Sequence, residues 1–279
     1  MLTTERNEAV SAEEFVEQED LSGAGPSTET AGGNLYAAVP RLDLTQRAVL
    51  SELMDQPCSF ADLRACLRDI ARVNRLTSGY RPTLLWLNRL IEAVSVKTGP
   101  LRIVDVGCGY GDTLRRIAAW ASKRNIPVML TGIDLNPDAV RAAKEATAST
   151  MCIEWLTADA LVYRPQDGVD IVICSLFTHH LRDHDIVRFL VWMEETARLG
   201  WFINDLHRRA THYYLFRACA RVSGWHHFVR HDGPVSILRG FVLEDWQALC
   251  RAAGIALDAI AIERQRTARL CVSRIKPGH

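Results

Sequence analysis

Val104-Asp105-Val106-Gly107-Cys108-Gly109-Tyr110-Gly111-Asp112 decides the reading of this chain. Leu101–Val106 before it is short, apolar and rich in β-branched residues, which predicts a buried strand. Thr113–Ser122 after it is amphipathic, which predicts a helix. Glycines at 107, 109 and 111 let the turn between them tighten and approach a ligand without a Cβ in the way. Loop N–H groups and a helix N-terminus then face that ligand. A dinucleotide fingerprint wants glycine at its first, third and sixth positions. Here the sixth is Asp112, an acid where a pyrophosphate needs N–H groups and no like charge, so NAD is disfavoured.

Outward from the loop, strands and helices alternate. Strands are predicted at 128–133, 152–156, 169–175 and 200–205, and helices at 137–147 and 185–197. Residues 242–253 read as a helix, and 255–262 and 267–273 as two strands joined by a short turn. The pattern predicts an α/β, doubly wound, mostly parallel seven-stranded Rossmann-like sheet with a C-terminal antiparallel hairpin. Residues 41–99 form a predicted N-terminal helical cap, with stretches at 45–54, from Ser59 to Val73, and from Pro82 to Val94. Residues 206–241 interrupt the rhythm with aromatics, His and Arg. They read as a lid insertion within the domain at 100–279, over the carboxyl edge of the sheet.

Two further acids follow at regular distance. Asp134, in Thr131-Gly132-Ile133-Asp134-Leu135-Asn136-Pro137, ends the second strand 23 residues after Gly111 (134 − 111), where a carboxylate can accept both ribose hydroxyls. Asp159, in Ala158-Asp159-Ala160, follows the third and can accept from an adenine amino group. Helix capping is the alternative role for both.

Together the glycine loop, Asp134 and Asp159 resemble class I S-adenosylmethionine-dependent methyltransferases over about residues 100–275. The resemblance implies S-adenosyl-L-methionine as cofactor. It implies Asp105, Gly107 and Gly109 at the methionine part, Asp134 at the ribose, and Asp159 with Ala160 at the adenine. It adds Cys108, Leu135 and Ser175 to the cofactor set. Asp69-Ile70-Ala71-Arg72-Val73-Asn74-Arg75, Ser175–Leu181 and Asn204-Asp205-Leu206-His207-Arg208 are similar to bacterial methyltransferases found beside type III polyketide synthases. That likeness implies O-methylation of a phenolic or polyketide-like acceptor. C-methylation of a quinone or aromatic ring, and a non-catalytic cofactor-binding protein, are the alternatives.

Eight of the nine histidines fall between 179 and 231. His180 and His179, just past the fourth strand, are placed to take a proton from a hydroxyl. His207 stands beside Asp205, which could set its tautomer. The expected catalytic set is therefore His180, His179 and His207. His180 and His184 share a helical spacing, but no ligand pattern accompanies them and no metal is expected. Asn74, Arg75 and Tyr80, in the turn between cap helices, are expected at the substrate. So is Tyr214, among Tyr213, Phe216, Trp225 and Phe228. Arg239 and His231 are expected to meet an acidic acceptor.

Bulk properties bound the rest. Lysine plus arginine and aspartate plus glutamate both count 33, so no overall field favours nucleic acid or a membrane. No Asn-Pro-Pro-Tyr motif follows the fourth strand, where Ser175-Leu176-Phe177-Thr178 stands, which disfavours a nucleic-acid substrate. Residues 1–40 carry eight acids and one base and read as a disordered acidic tail with a short helix near 12–19. No membrane span or signal segment is expected. Eight scattered cysteines suit reduced thiols and a cytoplasmic location, in a monomer or homodimer acting on a small molecule.

Overall fold

A computed structural model describes residues 43–94 and 99–277. The acidic stretch at 1–40 lies outside the described residues.

The apolar run before the glycine loop forms β1 (Leu101–Val106), buried on both faces at the centre of the sheet. Strands β2 (Val128–Asp134) and β3 (Ile153–Thr157) add in parallel on one side. On the other side come β4 (Val169–Ser175) and β5 (Ala197–Leu206), also parallel. The last two strands, β6 (Ala261–Gln265) and β7 (Arg269–Ile275), are antiparallel, and the order is β3-β2-β1-β4-β5-β7-β6. The chain thus leaves β1 toward β2 and returns on its far side at β4. That reversal opens a crevice at the carboxyl edge beside the glycine loop.

Helices cover both faces, as a parallel sheet requires. On one face α2 (Arg81–Ala93) and α3 (Asp112–Ser122) pack Trp86, Leu87, Leu90, Leu114 and Ile117 onto the sheet. On the other, α5 (Asp183–Thr196) and α8 (Leu243–Ala252) bury Phe189, Leu190, Met193 and Trp246. Asn136 caps α4 (Pro137–Glu145), and Ser59 caps α1 (Phe60–Leu76), each accepting from a backbone N–H. The 206–241 segment folds as α6 (Ala210–Val222) and α7 (His227–Arg239). No helix among the described residues is long and apolar enough to cross a membrane.

Two expectations need correction. The hairpin is shorter at its start, because Leu257–Ala259 forms a 3-10 turn before β6. The 45–54 stretch is not a helix. Its apolar residues do not share one buried face: Val49 is fully exposed and Leu50 is 48% exposed, while Leu53 and Met54 pack against the cluster of Cys66, Phe228 and Val229. Its backbone bonds to other elements instead, with Ala48 N–H donating to Leu238 and the Leu53 and Met54 N–H groups to the Asp232 carboxylate. Arg47 straps it down, donating to the Arg239 and Leu181 carbonyls and pairing with Asp183. Only Leu53–Asp55 closes a 3-10 turn.

Candidate active site

The glycine loop takes the shape its composition allows. Gly107 (φ +65°) and Gly111 (φ +70°) both lie in the left-handed region. A Cβ on Gly107 would stand 2.4 Å from Phe177, and one on Gly111 2.2 Å from Trp155. These two glycines therefore admit aromatic rings behind the loop as well as a ligand in front. The Gly109 N–H donates to Asp134 Oδ2 at 2.9 Å, and the Cys108 N–H to the Ile133 carbonyl at 3.1 Å. Loop and β2 tip are thus one hydrogen-bonded unit.

Asp105, Gly107, Cys108, Gly109, Asp134, Leu135, Asp159, Ala160 and Ser175 all line one cavity of about 1130 Å³. Asp105 is fully buried, and its Oδ1 has no partner. Burial pushes its carboxyl well up, helped by the charges of Asp112 and Asp134. Burial also raises Asp134, against the backbone N–H groups of Asn136 and Gly109. Asp159 accepts from the Leu161 N–H at 2.9 Å, so it caps a 3-10 turn while it lines the cavity. An unpaired buried acid, exposed Leu135 and two acids at strand tips fit an adenosyl ligand with an amino-acid end. A cavity this size exceeds what such a ligand alone needs.

At the β4 tip, Thr178–His180 forms a 3-10 turn that brings His179 and His180 into the cavity lining. His179 Nδ1 lies 2.7 Å from Asp205 Oδ1. The same carboxylate accepts from the Thr178 hydroxyl, the His179 N–H and the Leu206 N–H at 2.5, 3.1 and 2.7 Å. Burial would raise Asp205, but His179 and Thr178 outweigh it and hold its carboxyl far below the usual range. Asp205 thus holds the Nδ1 side of the His179 ring, while its Nε2 lies 3.8 Å from Glu52 Oε1. His180 Nδ1 lies 3.1 Å from Asp55 Oδ1. Burial would lower His180, yet Asp55 and Glu52 raise it.

His207 departs from its expected role. Asp205 belongs to His179, not to His207. The His207 ring packs edge-on against His212, outside the cavity lining. Burial, with His212 and Arg209 nearby, lowers it to about 4. Arg239 is also corrected. It is buried among Glu52 (3.3 Å), Asp55 (3.1 Å) and the His179 carbonyl (3.0 Å), so an acidic acceptor finds it already paired. His231 faces its neighbour Asp232 at 2.8 Å. Arg75 is exposed and Tyr214 is 57% exposed, and neither lines the cavity. Tyr80 stands behind the loop, where its hydroxyl lies 2.6 Å from Asp112 Oδ2. Asn74 does line the cavity. Of the aromatics in 206–241, Phe216 and Trp225 line it, stacked at 5.7 Å.

Sequence reasoning missed Glu52, Asp55 and Arg269. No motif marks them, and only folding brings them to the cavity. Glu52, His179 and His180 each offer a ligand atom, all within 4.8 Å of one another, so these are the residues that could hold a metal. His184, the sequence-level candidate, is not in that group. The Arg239 guanidinium also pairs with Glu52, at 3.3 Å.

Residues 103–200 match the family model described as a methyltransferase domain. The non-reducing polyketide synthase pigA of Monascus ruber is 25% identical over 144 residues, 50% of this chain; the chain spans 5% of that protein's length. Among solved structures, the plantazolicin methyltransferase BpumL in complex with SAH superposes with a TM-score of 0.55 at 13% identity, covering 77% of this chain and 95% of that one. The citrinin polyketide synthase CMeT domain superposes at 0.52 and 12% identity, covering 71% of this chain and 52% of that one. These structural likenesses establish the fold. Fold and crevice define a Rossmann-like α/β protein with a seven-stranded sheet. With the match over 103–200, that stretch of the chain carries a methyltransferase domain.

Proposed function

We propose that the chain transfers a methyl group from S-adenosylmethionine to the hydroxyl of a small, neutral, apolar acceptor of phenolic or polyketide-like type. One observation carries this reading. A single cavity is lined by the acid-tipped glycine loop, by two imidazoles, and by apolar side chains of α1, α6 and α7. Those include Leu63, Leu67, Ile70, Leu215, Phe216 and Val229.

When bound, S-adenosylmethionine supplies a methyl group activated by its sulfonium charge. Asp134 would hold the ribose, Asp159 and Ala160 the adenine, and Asp105 with the loop the methionine part. His179 Nε2 would take the proton of the acceptor hydroxyl as its oxygen gains the methyl. Asp205 holds the Nδ1 side of the ring and stabilises the imidazolium that results. The apolar walls align the acceptor and exclude water.

The acceptor's neutrality follows from charge. Glu52, Asp55 and Asp232 line the cavity, and Arg239 is committed to the first two. A carboxylate on the acceptor would be buried against acids without a free cation on that side. Eight free cysteines, five of them buried, suit a reducing, cytoplasmic setting. Incubation with a panel of neutral phenols and hydroxypyrones, read by mass spectrometry, tests the reading. Methoxy products are expected; ring-carbon methylation would overturn the oxygen assignment, and no binding of S-adenosylhomocysteine would overturn the whole.

A further inference from the structure

Glu52, His179 and His180 form a cluster that methyl transfer uses only in part. His179 Nε2 lies 3.8 Å from Glu52 Oε1, and His180 Nε2 lies 3.9 Å from Glu52 Oε2. Both gaps exceed hydrogen-bond length. Two imidazoles thus turn the same ring nitrogen toward one carboxylate, and neither bonds to it. Glu52 is 2% exposed and His179 is 3% exposed, so water does not make up the difference. Among the described residues, the Glu52 carboxylate accepts one hydrogen bond, from Arg239 on Oε1, which leaves Oε2 open.

The opposite ring nitrogens are held by acids. His179 Nδ1 lies 2.7 Å from Asp205 Oδ1, and His180 Nδ1 lies 3.1 Å from Asp55 Oδ1. Metal-ligating histidines adopt this arrangement, because a carboxylate on the far nitrogen orients the ring and raises its basicity. Charge points the same way. Three carboxylates meet here, and among the described residues Arg239 is the one guanidinium within ion-pair distance of any of them. With both imidazoles neutral, a buried negative excess is left that calls for a cation. Protons on the two rings are the competing way to balance it, and they would leave the cluster indifferent to metal.

We propose that Glu52, His179 and His180 bind one divalent ion of the zinc class, with Asp205 and Asp55 orienting the two imidazoles behind it. Their ligand atoms already lie within 4.8 Å of one another. Zinc sets neighbouring N and O ligands about 3.4 Å apart in a tetrahedron, so the Glu52 side chain has to close in by about half an ångström. Two imidazoles and one carboxylate suit zinc better than magnesium or calcium, which take oxygen sets. All three ligands line the cavity, which leaves a fourth position for water or another oxygen. The ion takes the Nε2 lone pair of His179. A zinc-bound chain and a chain with His179 free to accept a proton therefore exclude each other. That consequence rests on the reading of His179 as the base; the binding does not.

Calorimetry of the chelator-treated full chain with zinc chloride tests the site. One ion per chain is expected, held roughly 100-fold or more tightly than magnesium. His179→Gln and His180→Gln should each weaken zinc by roughly 100-fold or more, since each removes a ligand. Asp55→Asn keeps all three ligands and should weaken it by roughly 10- to 100-fold. It decides the matter if a histidine variant does not fold. His184→Gln, at an exposed residue outside the cluster, should stay within about twofold of wild type. Cobalt chloride in place of zinc should give visible d–d absorption that His180→Gln abolishes. No stoichiometric zinc would overturn the site. So would zinc that survives His180→Gln and Asp55→Asn, as an ion held at the exposed Cys152 or Cys219 would. Titration of the same samples with S-adenosylhomocysteine reads the donor site separately, so failure there is a distinct result.

Discussion

Asp205 shows how much one side chain organises. Three of its four hydrogen bonds, to Thr178 and His179, tie the β5 tip to the turn after β4 and hold the Nδ1 side of the His179 ring. Asp205→Asn should lower turnover by roughly 10²- to 10⁴-fold while S-adenosylhomocysteine affinity stays unchanged. Loss of affinity in equal measure would make the residue structural. His207 makes a different prediction. Its ring protonates at about pH 4 in the fold and about 6.5 in an unfolded chain. The stability it contributes is complete above about pH 6.5 and falls as pH drops through that window toward 4. Melting curves of His207→Gln should therefore shift less between pH 7 and 4 than those of wild type; an equal shift would refute the assignment. Asp105, Asp134 and Asp159 were legible in the sequence because each sits at or just past a strand tip in a local pattern. The partner of Asp205 was not, because residues 205 and 207 are neighbours in the chain while His179 is its neighbour only in the sheet.

At the scale of elements, the strand–helix alternation was legible almost throughout, since periodicity and glycine punctuation are local signals. The 45–54 stretch was not. Its helical spacing lost to bonds with α7, through Asp232 on the Leu53 and Met54 N–H groups and through Arg47. Glu52 and Asp55 reach the histidines only because this segment is strapped there. Arg47→Ala should speed hydrogen exchange at the amides of Ala48, Leu53 and Met54, with the sheet amides unaffected. Unchanged protection would show that Arg47 is not the anchor. In the loop, Gly111→Ala should cost about 1–2 kcal/mol from the left-handed backbone alone, and more from Trp155 at 2.2 Å. Denaturant midpoints of the variant measure it.

At the scale of the whole molecule, among the described residues every one that lines the cavity lies at or beyond Glu52. Removal of residues 1–40 should leave S-adenosylhomocysteine affinity within about twofold of wild type; a larger loss would place part of the site in that stretch. The doubly wound sheet, the glycine loop, the three acids at the strand tips and the histidines after β4 were determined by the sequence itself, because burial periodicity, glycine spacing and strand ends are written in consecutive residues. What only the tertiary structure decided is which distant charges meet. Arg239 finds Glu52 across 187 residues, and Arg269 finds Asn74 across 195. A sequence pattern fixes which face of an element turns inward, but not which element lies opposite, and the pairing of buried charges depends on that second fact.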